Sequence, residues 1–168
     1  MQVARRRYRA ARVGIPLPSE PVPQQKDGDR EGELQVRLTA QSILTARLRD
    51  DRPADQRSTL PAAPTFWEGM GLNLSGATLI DFSMTNGHVT EAIFNKATFS
   101  GSAWLAEATF TENAWFNKAT FESAWFTGAT FHKTAQLGAA VVVDPAANHA
   151  WPDGWRLIAP NRMISVVV

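Results

Sequence analysis

The middle of the chain repeats a short apolar unit in which a small residue, a middle residue and a large residue follow one another. Turn-forming pairs such as Asn95-Lys96 and Thr127-Gly128 separate the units, and weaker units extend the pattern from Leu72 to Leu137. The small and large positions predict a repeat core. Its strongest members are Ala92, Phe94, Ala97, Phe99, Ala103, Leu105, Ala108, Phe110, Ala114, Phe116, Ala119, Phe121, Ala124, Phe126, Ala129 and Phe131.

The spacing of these units favours strands over a helix. Steps of five and six residues sum to eleven, a period that can drive a right-handed coiled coil. A helical seam needs apolar spacings of three and four, however, and a five-residue step turns about 140° on a helix, which would scatter the phenylalanines. In a three-residue strand the small and large side chains share one face, and Thr, Phe and Trp favour strands.

Strands this short satisfy their backbone groups only by pairing with the coil above and the coil below. With four units in each coil, Phe116 stacks on Phe94, and Leu137 stacks on Phe116. The units from Leu72 to Leu137 therefore predict a mainly β fold, a solenoid of just over three coils that rise at roughly 4.8 Å per coil.

The flanks divide the rest of the chain. Residues 1–30 combine basic and proline-rich stretches and predict a disordered tail. Residues 31–50 predict an amphipathic α-helix, and residues 51–70, with three prolines, predict a linker. We assign residues 71–138 to the β-helix and residues 139–168 to a C-terminal cap or tail.

Both ends of a β-helix expose strand edges that invite association unless something covers them. The predicted helix has an apolar stripe that needs burial, formed by Leu34, Leu38, Leu44 and Leu48. We expect this helix to pack on the first coil and the turn at Trp151–Trp155 to pack on the last one. In the rival arrangement one end stays open and joins a second copy as a homodimer.

The composition of the chain excludes several kinds of site and segment. The chain has no cysteine, so disulfides and thiolate metal sites are excluded. No apolar run reaches the roughly 18 residues that a membrane span requires, and Met1–Ala11 lacks the apolar core of a secretory signal. We therefore expect a cytoplasmic protein without a membrane span.

Charge is distributed unevenly. Residues 1–30 hold seven basic and three acidic residues, a net +4, whereas residues 72–137 hold three and five, a net −2. The arginines of residues 5–9 fit a solvated tail better than a nucleic-acid or lipid site, because no aromatic platform accompanies them. Nucleic acid is therefore an unfavoured partner, and an unknown protein is the favoured one.

The residues capable of chemistry form no recognisable site. His88, His132 and His149 do not have metal-ligand spacing, and Asp81 and Asp144 lack a partner pattern. No nucleophile motif, phosphate loop or redox pair is present. We therefore expect no catalytic, cofactor-binding or metal-binding residues, no cofactor and no enzymatic activity.

The candidate interaction surface consists of Trp104, Trp115 and Trp125, at the middle, outward-facing positions of their strands. The predicted register places Trp104 and Trp125 on one face, one coil apart, and Trp115 on the opposite face beside Gln136. Exposed tryptophan often marks a binding surface. Alternatively, these side chains pack on each other or lie under the flanking segments, an intramolecular role that so short a solenoid favours.

These A-x-F units resemble the pentapeptide-repeat family, and the alternation of A-T-F with A-W-F resembles its actinobacterial members in particular. The flanks at Ala40–Thr45 and Trp151–Trp155 are similar to those of such proteins. The resemblance implies a right-handed quadrilateral β-helix. Extra residues in Ser100–Ser102, Thr111–Asn113 and His132–Thr134 depart from the five-residue register and predict bulged corners.

The family resemblance implies a non-catalytic protein-interaction or scaffolding module. Some members resemble B-DNA and inhibit or protect DNA gyrase, which is the first alternative function. Others are appended to signalling or membrane proteins, so an accessory part of such a protein is the second alternative. A DNA mimic needs a long, strongly negative rod, whereas this rod is about 15 Å long by strand spacing and its repeats carry only −2.

Overall fold

A computed structural model describes residues 27–157 and 163–165. The predicted tail lies almost wholly outside these residues, as do the arginines of residues 5–9. The described part contains helix α1, Asp27–Leu48, and a 3-10 turn, Ala54–Gln56. Its strands are β1 Leu72–Asn73, β2 Thr78–Ile80, β3 His88–Val89, β4 Ala92–Ile93, β5 Thr98–Trp104, β6 Thr109–Phe110, β7 Ala114–Trp115, β8 Thr120–Trp125, β9 Thr130–Phe131, β10 Ala135–Gln136, β11 Val141–Val142, β12 Trp155–Leu157 and β13 Met163–Ser165.

Four parallel ladders build the solenoid, and we number its faces in chain order. Face 1 consists of β1, β4, β7 and β10, and face 2 of β2, β11 and the first halves of β5 and β8. Face 3 is the column Ser83, Trp104, Trp125 and Ala150, which includes the second halves of β5 and β8. Face 4 consists of β3, β6 and β9. The predicted parallel β-solenoid of about 3 turns with an N-terminal helix is confirmed.

Aromatic side chains fill the interior one above another. Phe94 stacks on Phe116 with ring centroids 5.1 Å apart, and Phe99 stacks on Phe121 at 4.7 Å. Leu137 lies above Phe116, because the neighbouring residues Gln136 and Trp115 pair. The predicted stacking order is therefore confirmed.

Two residues of the predicted core are only partly buried. Ala129 and Phe131 lie at the top of face 4, where β9 is the last strand of its ladder in the part of the chain that the structure describes. Trp155 supplies the missing cover, because its ring stacks on Phe131 at 5.2 Å. The other predicted core residues are buried.

The corners differ from one another in length and conformation. In the second coil a register shift separates Phe99 from Ser102, so the predicted bulge is confirmed at this corner. Strand β5 continues through this corner, and β8 continues through the equivalent corner of the next coil. The sequence predicted separate three-residue strands at both places. Gly101 has a φ of 74°, a backbone conformation that glycine adopts at little cost.

Helix α1 begins four residues earlier than the sequence predicted, and acidic Asp29 and Glu31 near its start suit the positive end of a helix. The helix packs on the first coil only through its C-terminal half. Leu48 is 1% exposed and belongs to the core, whereas Leu34 is 42% exposed. The predicted leucine stripe is therefore wrong at Leu34, because the helix extends past the edge of the solenoid there.

Side-chain and backbone groups close part of the first strand edge. The Gln41 amide imitates a neighbouring strand, since its Nε2 donates to the Ile80 oxygen at 2.8 Å and its Oε1 accepts from the Ile80 N–H at 3.0 Å. Arg49 forms an antiparallel bridge with Gly87. Such pairing satisfies backbone groups that the first coil would otherwise leave open.

At the other end, Trp151 and Trp155 lie on the last aromatic layer. The Trp151 ring stacks on Phe126 at 5.8 Å, and Trp155 contacts Phe126 at 5.5 Å. Strand β12 pairs with β13 in an antiparallel hairpin beyond the coils. No helix in the described residues is long and apolar enough to cross a membrane.

Candidate interaction surface

Face 3 brings two tryptophans together on the outside of the solenoid. The parallel register pairs Trp104 with Trp125, and their rings stack at a centroid distance of 5.1 Å with an interplanar angle of 11°. The Trp104 side chain stays 40% exposed, whereas Trp125 is half-buried. Within the described residues the buried Trp125 Nε1 makes no hydrogen bond. This is the only pair among the three predicted tryptophans that the fold brings into contact.

Small residues stand at both ends of the tryptophan stack. Ser83 pairs below Trp104, and Ala150 pairs above Trp125. The lower ring face of Trp104 therefore has no aromatic neighbour in its own column. Beside Ser83 an open groove of about 420 Å³ separates face 3 from helix α1.

Carboxylates border face 3 at both corners. Asp81 and Glu122 flank the Gly101 bulge, where Asp81 Oδ1 accepts from the Ser102 N–H at 3.0 Å and Glu122 Oε2 accepts from the Gly101 N–H at 2.7 Å. At the opposite corner the carboxylate of Glu107 lies over Gly128, where a Cβ would collide with it. All three acidic residues are exposed.

Trp115 lies on face 1, away from the other two tryptophans, between Ile93 and Gln136. Its Nε1 donates a hydrogen bond to Glu91 Oε1 at 3.2 Å, and its side chain is half-buried. Trp115 therefore makes an intramolecular contact, as Trp104 and Trp125 do with each other. The three tryptophans of the predicted interaction surface thus form one stacked pair and one separate residue, and their role in binding stays a prediction.

Comparison with known proteins supports the same repeat. Residues 94–141 match the family model described as pentapeptide repeats (9 copies). Residues 94–141 are therefore a pentapeptide-repeat segment. No curated protein and no solved structure matches the chain. The matched residues include both tryptophans of face 3.

The acidic border of face 3 was not predicted from the sequence, in which the charges of the repeats appear only as a sum of −2. A signal was present, because Glu107 follows Trp104 by three residues and Glu122 precedes Trp125 by three. In a solenoid of three-residue strands and short turns, this spacing places each carboxylate at a corner next to a tryptophan.

A second polar cluster holds the linker against face 4. Asp50 is almost completely buried and accepts hydrogen bonds from Arg52 at 2.9 Å through Oδ1 and at 3.0 Å through Oδ2. Arg57 Nε lies 3.4 Å from the same Oδ2. Hydrogen bonding from Arg52 holds the pKa of Asp50 below its usual value despite the burial. Burial, followed by the charge of Arg57, lowers the pKa of His88.

This cluster has the contacts of a structural ion-pair network. Arg57 Nη1 lies 3.3 Å from His88 Nδ1 and 3.3 Å from Thr109 Oγ1, so it joins the linker to two coils. Phe66 adds an edge-on contact to the His88 ring at 6.3 Å. Across the described residues no group of three or more His, Cys, Asp or Glu side chains is arranged to hold a metal ion.

Proposed function

We propose that this protein is a non-catalytic protein-interaction or scaffolding module, and that face 3 is its contact surface. The supporting observation is the exposed tryptophan stack of Trp104 and Trp125. Exposed aromatic residues are enriched at protein interfaces, where they supply large contact areas. The parallel ladders hold both rings in fixed positions, so little side-chain entropy is lost when a partner binds.

Other features of the module are proposed with it. We infer an unidentified protein partner and a cytoplasmic location, which the cysteine-free composition supports. Within the described residues β10 is the last strand of face 1, and pairing through its edge would give a homodimer. A role as an accessory part of a larger signalling or membrane-associated protein would use the same surface.

Site-specific photocrosslinking tests the proposal, and the cysteine-free chain makes single labelling positions straightforward. A photoreactive group is attached to Ser83→Cys on face 3 or, as the matched control, to Thr98→Cys on face 2. Both positions are exposed. Irradiation in an extract of the producing cells should give a protein adduct from the face 3 label in clear excess over the control. Equal adducts from both labels, or none from either, would contradict the proposal.

A further inference from the structure

We propose that face 3 docks a basic, arginine-containing segment of a partner protein. In this complex a guanidinium group stacks on the free ring face of Trp104, and the carboxylates of Asp81, Glu107 and Glu122 surround the segment. The inference rests on the proposed function, because it names the class of partner for the same surface. Three independent features of face 3 carry it: ring orientation, available space and charge.

The orientation of the rings follows from the stacking. Trp104 and Trp125 occupy equivalent positions in successive coils, with nearly parallel rings 5.1 Å apart. This separation is close to the roughly 4.8 Å spacing of the coils, so the line joining the two ring centroids runs near the solenoid axis. Ser83 pairs with Trp104 on the side away from Trp125, so the ring face of Trp104 that is not stacked is on the Ser83 side. A cation within about 6 Å of an indole centroid is attracted to that face.

Open space lies next to Ser83, the residue that pairs below Trp104. The groove between face 3 and α1 is lined by Ser42, Thr45, Ala46, Arg49, Asp51, Ser83 and Thr85. Arg49 is the basic residue of this lining, and its guanidinium pairs with Asp51 at 2.6 Å. The cation–π contacts of the described residues involve Trp67 and Phe66, and neither involves Trp104. Within the described residues, therefore, no cationic side chain of the chain itself occupies the ring face of Trp104.

The charges of the repeats are segregated around the solenoid. Asp81, Glu107 and Glu122 border face 3, and within the described residues none of them forms a salt bridge. Lys96 and Lys118 lie at the corner between faces 1 and 2. Lys133, at the corner between faces 4 and 1, pairs with Glu112. Among the repeats, face 3 is therefore the side that three carboxylates border, and the three lysines lie at other corners.

The carboxylates are close enough to act on one bound segment. A three-residue strand is about 10 Å long, so each corner lies within about 10 Å of the tryptophan column. Charges at this separation are within about one Debye length at 0.1 M ionic strength. Backbone N–H groups of Gly101 and Ser102 hold Glu122 and Asp81 in place. Phosphate groups of nucleic acid or lipid would be repelled by the same carboxylates, which favours a basic peptide.

Arginine fits the site better than lysine. Its planar guanidinium stacks on an aromatic face and forms two parallel hydrogen bonds with a carboxylate, whereas the lysine ammonium is a compact, strongly hydrated point charge. One arginine would stack on the Trp104 ring, and a second arginine would form an ion pair with Glu107 or Glu122. The partner would then use both the aromatic ring and the carboxylates of face 3. The preference for arginine over lysine is therefore a measurable consequence of the proposal.

Isothermal titration of the full chain with a hexa-arginine peptide tests the inference. We expect binding that weakens with added salt, that exceeds binding of hexa-lysine, and that is absent with hexa-glutamate. Trp104→Ala should weaken hexa-arginine binding by about fivefold. Glu107→Gln should also weaken it, and we expect this isosteric change at an exposed residue to preserve the fold, which circular dichroism checks. Trp115→Ala, on the opposite face, is the matched control and should bind like the wild type.

Several outcomes would overturn the inference. Equal affinity of the wild type and Trp104→Ala for hexa-arginine would show that the peptide binds through charge alone, without a contact to the Trp104 ring. Binding that appears only after alanine replaces the arginines of residues 5–12 would identify the chain's own N-terminal segment as the occupant. An absence of peptide binding alongside a specific adduct from labelled Ser83→Cys would reject the basic partner while leaving the interaction function in place.

Discussion

Phe116 lies at the centre of the solenoid and illustrates how single residues hold the coils together. Its ring stacks on Phe94 below, meets Phe126 edge-on at 5.7 Å, and has Leu137 above. Each such contact adds dispersion and aromatic energy to the burial of apolar area. The same parallel register that aligns these rings inside also aligns Trp104 with Trp125 outside. One geometric rule therefore produces both the core and the candidate surface.

Truncating Phe116 should be costly. We expect Phe116→Ala to lower the free energy of unfolding by about 3–5 kcal/mol, since a fully buried ring leaves a cavity between two coils. Urea unfolding monitored by circular dichroism measures the loss. Phe131→Ala is the matched control and should cost less, because Phe131 is only partly buried. A loss below about 1 kcal/mol for Phe116→Ala would contradict the observed register.

His88 should make stability depend on pH. Burial, then the charge of Arg57, keeps its folded pKa below 6.5, and Asp50, Arg52 and His132 also act on it. The unfolded chain takes up a proton as pH falls through about 6.5 while the folded imidazole stays neutral, so stability decreases from there towards the folded pKa. Urea unfolding at pH 7.5 and 5.5 should show a smaller decrease for His88→Gln than for the wild type.

The contribution of Asp50 falls in a different pH range. Its folded pKa lies below 3.8, so the stability it provides is complete above that value and is lost only as pH falls further. The two groups are therefore separable by pH. An equal decrease for the wild type and His88→Gln between pH 7.5 and 5.5 would show that other groups cause the effect.

At the scale of elements, helix α1 and the Trp151–Trp155 segment lie at the two ends of the solenoid. A rod of about 3 turns has few interior coils, so end contacts form a large share of its stability. The helix contributes a buried leucine, Leu48, and an amide that pairs with the Ile80 backbone. The aromatic segment contributes two rings over Phe126 and Phe131. Neither end relies on strand pairing alone.

Two leucines of the same helix provide an internal comparison. Leu48→Ala should lower the free energy of unfolding by about 2–5 kcal/mol, because Leu48 belongs to the core. Leu34→Ala should change it by less than about 0.5 kcal/mol, because Leu34 is exposed. Chemical denaturation of both variants tests this difference. Similar losses for the two would mean that the whole leucine stripe is buried in solution.

At the scale of the whole molecule, the positions of the charged residues say more about the kind of binding partner than the net charge does. The repeats carry only −2 in total, yet three of their five carboxylates border one face and the lysines lie elsewhere. A DNA mimic needs negative charge along a rod that matches duplex dimensions. A short rod with one acidic face suits a local basic ligand better.

We therefore expect no inhibition of DNA gyrase at micromolar protein. A supercoiling assay with the full chain measures this directly, and the Phe116→Ala variant is the control for effects that do not depend on the fold. Inhibition below micromolar concentration by the wild type alone would favour the DNA-mimic alternative over an interaction module.

The sequence by itself determined the coil and the order of the stacked rings. A period of small and large apolar residues in steps of five and six can bury all its large side chains only in a closed solenoid. The register followed, since a slip by one residue would turn Phe94 or Phe116 outward. The tertiary structure alone decided how much of α1 is buried, because a helix longer than the coil is wide must extend past its edge.

The acidic border of face 3 was also decided by the tertiary structure. Leu72 pairs with Ala92 and Ala92 with Ala114, so successive coils are 20 and 22 residues long. Because the coils differ in length, local bulges and backbone conformations decide where each corner residue lies. A count of the charges along the sequence does not contain this information. Three carboxylates that are far apart in the chain come to the borders of the same face, namely Asp81, Glu107 and Glu122. They do so because each coil closes on itself and every corner returns the next strand to its ladder.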